Sequence, residues 1–335
     1  MRRLAAMSLL AVLVAGCGSQ SGLHVENGGH TIAVASAGSS GGGGHSTAPA
    51  LPRRVTARIP LGGVPAIAWD GTATMWAAVW AGGPHLIGSL IAVDTATGTA
   101  GPAIVLPASN TPYLVAATGS AVYVAGAGAV MRVDPQTGKV VDRVALGGRL
   151  RALLAAQGRL WVTADGGRLV QLDPDTLGVV ATRHVTGHPD AITTDGGSVL
   201  VTDDRDRTLT RMTIANGKVT GTTTIGANGA GRPSQITVYA GSIWVYEGTT
   251  VLRVATGALQ LLDRVTVPGG GGSIAAGTGG VWVSGGFGVA RIDPATGALD
   301  TPVAVGQAGA AIATTGDAVW LVQRPTGTLL RLVPS

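Results

Sequence analysis

The sequence predicts an all-β protein, a seven-bladed β-propeller built from four-stranded antiparallel blades. Three observations carry that expectation: a repeat of about 40 residues, a recurrent Asp-Pro-x-Thr-Gly turn, and a segment near the start that matches the last strand of each repeat. Hydrophobic residues make up 45% of the 335-residue chain and charged residues 12%, so a large core is possible. The 54 glycines and an apolar set dominated by Ala, Val, Leu and Ile suit many short strands joined by tight turns.

The repeat is read first from a large residue set between aliphatics. It recurs at Trp76, Tyr123, Trp161, Leu200, Trp244, Trp282 and Trp320, with intervals of 47, 38, 39, 44, 38 and 38 residues. An inner strand such as Ala66-Ile67-Ala68 or Ser273-Ile274-Ala275 precedes each of these runs. After the run come a Gly- or charge-bearing loop, a third strand such as Met131-Arg132-Val133-Asp134, and a turn. That turn is intact at Asp134 to Gly138 and at Asp293 to Gly297. Asp accepts from backbone N–H groups, Pro presets φ and Gly takes the left-handed position, so the repeated aspartates are structural rather than metal ligands. A last strand such as Lys139 to Val144 ends the unit.

Four short strands repeated seven times make a propeller. The Val-Trp-Val strands are apolar on both faces, as stacked blades require, and their tryptophans are expected to wedge between blades. Trp69 and Trp80 stand outside this scheme: Trp69 ends an inner strand, and Trp80 is placed in a loop past the core strand. The array ends at Leu329 to Val333, one strand short of a blade, while Arg54 to Gly63 resembles the outer strand Val140 to Gly148. The N-terminal strand is therefore expected to complete blade seven and close the ring, which removes an exposed edge.

These residues resemble the YVTN-type propellers, relatives of the NHL-repeat proteins: Gly-x-Val-Trp-Val, a loop, then Val-x-Arg-Ile-Asp-Pro-x-Thr-Gly. The likeness covers residues 53–335 and is best in blades two, three and six. Blades four and five depart from it, with Met212 to Gly217 and Val254 to Gly257 in place of the Asp-Pro turn. It implies a fold and leaves function to the loops.

The chain opens with Met1-Arg2-Arg3, an 11-residue, almost wholly apolar stretch from Leu4 to Val14, and Ala15-Gly16-Cys17. This reads as a signal peptide over residues 1–16, too short for a spanning helix, which needs roughly 20 apolar residues. Val14-Ala15-Gly16-Cys17 resembles the lipobox of bacterial lipoproteins. The resemblance implies that Cys17, the only cysteine, carries a diacylglycerol thioether, and that the protein faces the extracytoplasmic side of a cell membrane. Residues 17–52, rich in Gly and Ser, read as a flexible tether of about 30–35 Å average reach. Without Arg2 and Arg3, 21 basic residues face 18 acidic ones. No basic run exists, which argues against nucleic-acid binding.

Chemistry is sought at one mouth of the ring, on the loops after the Trp strands and those leading into inner strands. Candidate ligand-binding residues are Trp80, Asp165, Asp203, Asp204, Arg205, Tyr246, Glu247 and Arg324; Arg149, Arg151, Arg232 and Gln235 lie on the incoming loops. The densest group is Asp203 to Arg207 with His188 and Asp190. Arg205 and Arg207 offset the negative potential a cation needs, so no metal site is assigned and no cofactor is expected beyond the lipid. The leading expectation is a monomeric, non-catalytic binding or scaffold module for an envelope protein, peptide or glycan. The alternative is a small-molecule lyase or hydrolase using His188, Asp190 and Glu247. Lactonase-type, streptogramin-lyase-type and quinoprotein motifs are each incomplete in this chain.

Overall fold

Each repeat folds into one antiparallel sheet whose strand order follows the chain. The computed structural model describes residues 23–27, 30–34, 53–81, 87–107, 112–185, 187–226, 231–270, 272–277, 279–306, 308–324 and 326–334. Blade one comprises Gly63–Trp69, Thr74–Ala81, Ile87–Asp94 and Ile104–Val105. Blade two comprises Leu114–Thr118, Ala121–Gly126, Ala129–Val133 and Val140–Ala145. Blade three comprises Leu150–Ala156, Arg159–Ala164, Arg168–Leu172 and Val179–His184. Pro189–Thr194, Ser198–Asp203, Thr208–Thr213 and Val219–Thr224 form blade four. Blade five is Pro233–Tyr239, Ser242–Glu247, Thr250–Ala255 and Leu261–Thr266, and blade six is Ser273–Gly277, Gly280–Gly285 and Gly288–Ile292. Blade seven takes Ala308–Thr314, Val319–Gln323 and Thr328–Pro334 from the end of the chain and Arg53–Pro60 from its start.

The expected closure is therefore present: Leu329 pairs with Ile59 and Leu332 with Val55 in antiparallel register. One core cluster then joins Trp320, Leu329 and Ile59 of blade seven to Ile67 and Met75 of blade one, so the ring is sealed by apolar packing as well. The other clusters also lie between blades, such as Trp76 and Leu90 with Val115, Val122 and Met131. Tyr123, Trp161, Trp244, Trp282 and Trp320 are almost wholly buried, as wedges should be.

Cross-strand register adds a pairing that the repeat only hinted at. The third-strand arginine sits opposite the second-strand aromatic in four blades: Arg132 with Tyr123, Arg253 with Trp244, Arg291 with Trp282 and Arg331 with Trp320. Arg253 and Arg331 lie 5.3 and 5.9 Å from their indole centroids, within cation–π range. Residues of such pairs, and Arg211 opposite Leu200 in blade four, also reach the turn of the next blade. Arg132 approaches Asp175 at 3.8 Å, Arg211 donates to the Thr256 carbonyl, and the Tyr123 hydroxyl donates to the Pro174 carbonyl at 3.0 Å.

The turn aspartates are structural. Asp134 Oδ1 accepts from the Gln136 and Thr137 amides, and Asp293 Oδ1 from those of Ala295 and Thr296. These bonds hold both carboxyls below the usual aspartate range. Blade six keeps only isolated bridges, Val289 to Val303 and Ile292 to Leu299, where its outer strand would run; Pro302 between them lacks the N–H a ladder needs.

Trp80 requires a correction. It lies within the second strand of blade one, opposite Gly88, because that strand runs two residues past Ala78 and Val79. Its indole N–H donates to the Pro112 carbonyl. Cys17 and residues 1–16 lie outside the described residues. Within the stretch read as a tether, Leu23–Asn27 and His30–Val34 pair as an antiparallel hairpin with Asn27 opposite His30. Alternating sequence on either side of Gly28-Gly29 is a hairpin signal. Among the described residues no helix is long and apolar enough to cross a membrane.

Candidate functional site

Antiparallel strands place the links into inner strands and the loops between second and third strands at the same end of the ring. Blades three, four and five bring their charges together there. Arg151, at the start of the inner strand of blade three, is the hub. Its Nε donates to Asp165 Oδ1 at 3.1 Å and its Nη1 to Asp190 Oδ1 at 3.4 Å, while Nη2 meets His188 Nε2. A guanidinium only donates, so His188 Nε2 is the acceptor and Nδ1 carries the proton. That N–H points to Asp204 Oδ1. Asp204 Oδ2 lies 3.8 Å from Arg232 on the link into blade five.

Asp203 holds this arrangement from below. Fully buried, it accepts from the backbone amides of His188 at 2.6 Å, Arg205 at 2.8 Å and Asp206 at 2.7 Å. One carboxylate thus shapes the loop 203–207 and the link that carries His188. Asp190 is buried, and among the described residues its Oδ2 has no hydrogen-bond partner. Burial and then the neighbouring Asp204 push its carboxyl up to about 7, against the pull of Arg151. Asp165 behaves oppositely: partial burial would raise it, but bonds from Arg151 and the Arg149 amide prevail and hold it below the usual range.

The sequence candidates divide accordingly. His188, Asp190, Asp203, Asp204 and Asp165 converge, with Arg151 and Arg232 as the basic partners. Arg205 is exposed beside them. Tyr246 and Glu247 end the second strand of blade five and are buried. Burial pushes the Tyr246 hydroxyl up to about 12, which makes it a poor acid. The charges acting on Glu247 are Arg264 and Arg207, and its carboxylate makes no hydrogen bond to His188 or Asp190. Gln235 is structural, bridging the Gly272 carbonyl and the Ile274 amide of blade six at 2.9 Å each. Arg324 is exposed in blade seven. Among the described residues, no group of three or more His, Cys, Asp or Glu is placed to hold a metal ion. A hollow of about 400 Å³, lined by Trp69, Thr118, Tyr123, Gln157, Arg159 and Asp175, lies at the opposite end of the ring, away from this network.

A closed seven-bladed ring with one charged mouth is the class of molecule defined so far. The chain belongs to the PQQ_2 family, described as Outer membrane protein assembly factor BamB, which matches residues 74–180 and 126–332. The repeat type that matches is thus PQQ_2, related to the YVTN and NHL repeats named from the sequence. Similar solved structures include BamB from Moraxella catarrhalis, 14% identical with a TM-score of 0.59, covering 79% of this chain and 82% of that one. The Cps50 (Swd1) β-propeller domain of Myceliophteria thermophila is 12% identical with a TM-score of 0.66, covering 85% and 100%. Virginiamycin B lyase from Staphylococcus aureus is 17% identical with a TM-score of 0.63, covering 84% and 98%. At these identities the likeness is one of fold. No curated protein matches the chain.

Proposed function

We propose that this protein is a lipid-anchored, extracytoplasmic binding module of the cell envelope that presents the mouth of blades three to five to a protein or peptide partner. The observation that carries the reading is the Arg151 network, in which side chains from three blades are bonded mainly to one another. His188 has both ring nitrogens engaged, and Arg151 is shared among three acceptors. Such a surface is preorganised for recognition. Membership of a family named for an outer membrane assembly factor supports an envelope protein as partner. Anchoring through Cys17 rests on the lipobox; burial of two acyl chains at about 0.8 kcal/mol per CH₂ gives a stable anchor.

Three variants test the two halves. Cys17→Ala should move the folded protein from the membrane to the soluble extracytoplasmic fraction; continued membrane retention would refute the anchor. In cross-linking from intact envelopes, Arg232→Ala should weaken a partner that wild type captures. Equal capture by the Arg151→Ala and Arg232→Ala variants would remove this face from the binding reading.

A further inference from the structure

Blade five breaks the ring's pattern at one residue. Glu247 ends its second strand opposite Pro233, as Asp203 ends that of blade four opposite Pro189. Asp203 is filled with backbone N–H donors, whereas Glu247 is fully buried and, among the described residues, neither of its carboxylate oxygens has a hydrogen-bond partner. Leaving a buried carboxylate unsatisfied is costly, and such a residue in a native fold calls for an explanation.

A second irregularity stands beside it. Arg207, the last residue of the blade-four loop, has φ of +53°. The residue before the third strand is Gly128 in blade two and Gly167 in blade three, each at φ +73°. An arginine in this left-handed conformation carries strain of about 1 kcal/mol or more. It is held by the Ile225 amide, which donates to its carbonyl at 2.7 Å, and by its own Nη1, which donates to the Gly226 carbonyl at 2.9 Å. Gly226 packs directly on Glu247: a Cβ there would fall 2.4 Å from Oε1. The arginine with the left-handed backbone and the unsatisfied carboxyl therefore share one neighbour.

We propose that Glu247 and Arg207 form a proton-operated switch at the junction of blades four and five. With its proton, neutral Glu247 tolerates burial and Arg207 rests on the Gly226 carbonyl, the arrangement described above. When Glu247 releases that proton to solvent, the carboxylate draws the Arg207 guanidinium from the carbonyl to itself.

The surrounding charges are consistent with this. Burial pushes the Glu247 carboxyl up to about 7, while Arg264 on the outer strand of blade five and Arg207 on the blade-four loop oppose the rise. The blade-four loop also carries Asp203, Asp204, Arg205 and Asp206, and the link into blade five carries Arg232, which is paired to Asp204. Tyr246, next in the strand, keeps its proton throughout. Because the same loop positions His188, the switch would tune the face assigned to partner binding, and in that respect it rests on that assignment.

The sequence supplies a clean probe, since Glu26 and Glu247 are the only glutamates. In the full chain labelled with ¹³C at glutamate carboxyls, Glu26 is the internal reference. The expected result is a Glu247 midpoint near 7, tracked by the Arg207 side-chain ¹⁵N signal. Arg207→Gln should move that midpoint upward by about one pH unit, because a favourable cation is lost. Arg207→Gly, which suits the left-handed backbone, should give the same displacement and guards against misfolding. The switch is overturned if Glu247 titrates alongside Glu26, or if neither Arg207 variant moves its midpoint. These readouts need no partner. Capture that depends on pH in wild type and not in Glu247→Gln would further support the switch. A Glu247 midpoint near 7 that both Arg207 variants displace, with pH-independent capture, would sustain the switch and count against the binding reading alone.

Discussion

At the residue scale, the chain shows how burial can outweigh backbone strain. The turn between third and outer strands ends on Gly98, Gly138, Gly217 and Gly297 in four blades, all at positive φ, but on Leu177 and Leu259 in blades three and five. Both leucines are buried, at 1% and 5% exposure. Burying a leucine is worth about 1.5–3 kcal/mol and the left-handed conformation costs about 1–2 kcal/mol, so packing prevails by a small margin. Leu177→Gly should therefore lower stability, by about 1 kcal/mol in denaturant unfolding; a stabilised variant would show that strain dominates there. Asp190 invites a second test. Its folded carboxyl is raised to about 7, so its favourable contribution is complete below the unfolded value and is lost as pH rises through 7. Asp190→Asn should stabilise the protein above pH 7 and have little effect below the unfolded value of 3.8, as read from melting temperatures on the two sides of that window.

At the element scale, the strand Arg53–Pro60 supplies the fourth position of blade seven from the far end of the chain. Deleting it should leave Thr328–Pro334 as an exposed edge and destabilise the whole ring, measured as a lower melting temperature with increased aggregation. An unchanged melting temperature would mean that closure is dispensable. This pairing was legible in the sequence because Arg54 to Gly63 copies the outer-strand pattern, and the blades were legible because their signals are local. A buried aromatic, an Asp-led turn and a period near 40 can each be read within one repeat. Trp80 was misplaced since its strand is longer than its counterparts. The site was only half legible for a different reason. His188, Asp190, Asp203 and Asp204 lie close in sequence and could be grouped, but Arg151 and Arg232 join them only when three blades stand side by side. Nothing local marked Arg151 as the hub, nor Arg207 as a residue in a glycine conformation.

For the molecule as a whole, the two kinds of carboxyl set opposing limits on stability. Asp94, Asp134, Asp173 and Asp293 are held below the ordinary range by turn N–H groups. Their contribution is present above the unfolded value and is lost as pH falls through the still lower folded values. Asp190 and Glu247 act in reverse, their contribution fading as pH rises through about 7. The melting temperature should accordingly peak on the mildly acidic side, and Glu247→Gln should flatten its alkaline limb. A maximum at pH 8 or above would contradict this account.

Closure by the first strand also sets an order of events. In a chain that emerges N-terminus first, Arg53–Pro60 is among the earliest ring segments to appear and the last to find its place, because its partner, Thr328–Pro334, is the last ring strand in chain order. Loop closure over nearly the whole ring must precede that pairing, so the final step is slow by topology. Until then an arc of finished blades presents an unpaired edge at each end, the condition under which domains swap strands or associate. Folding yield should therefore depend on protein concentration more steeply than native stability does, and a circular permutant beginning at Gly63 should relieve that dependence.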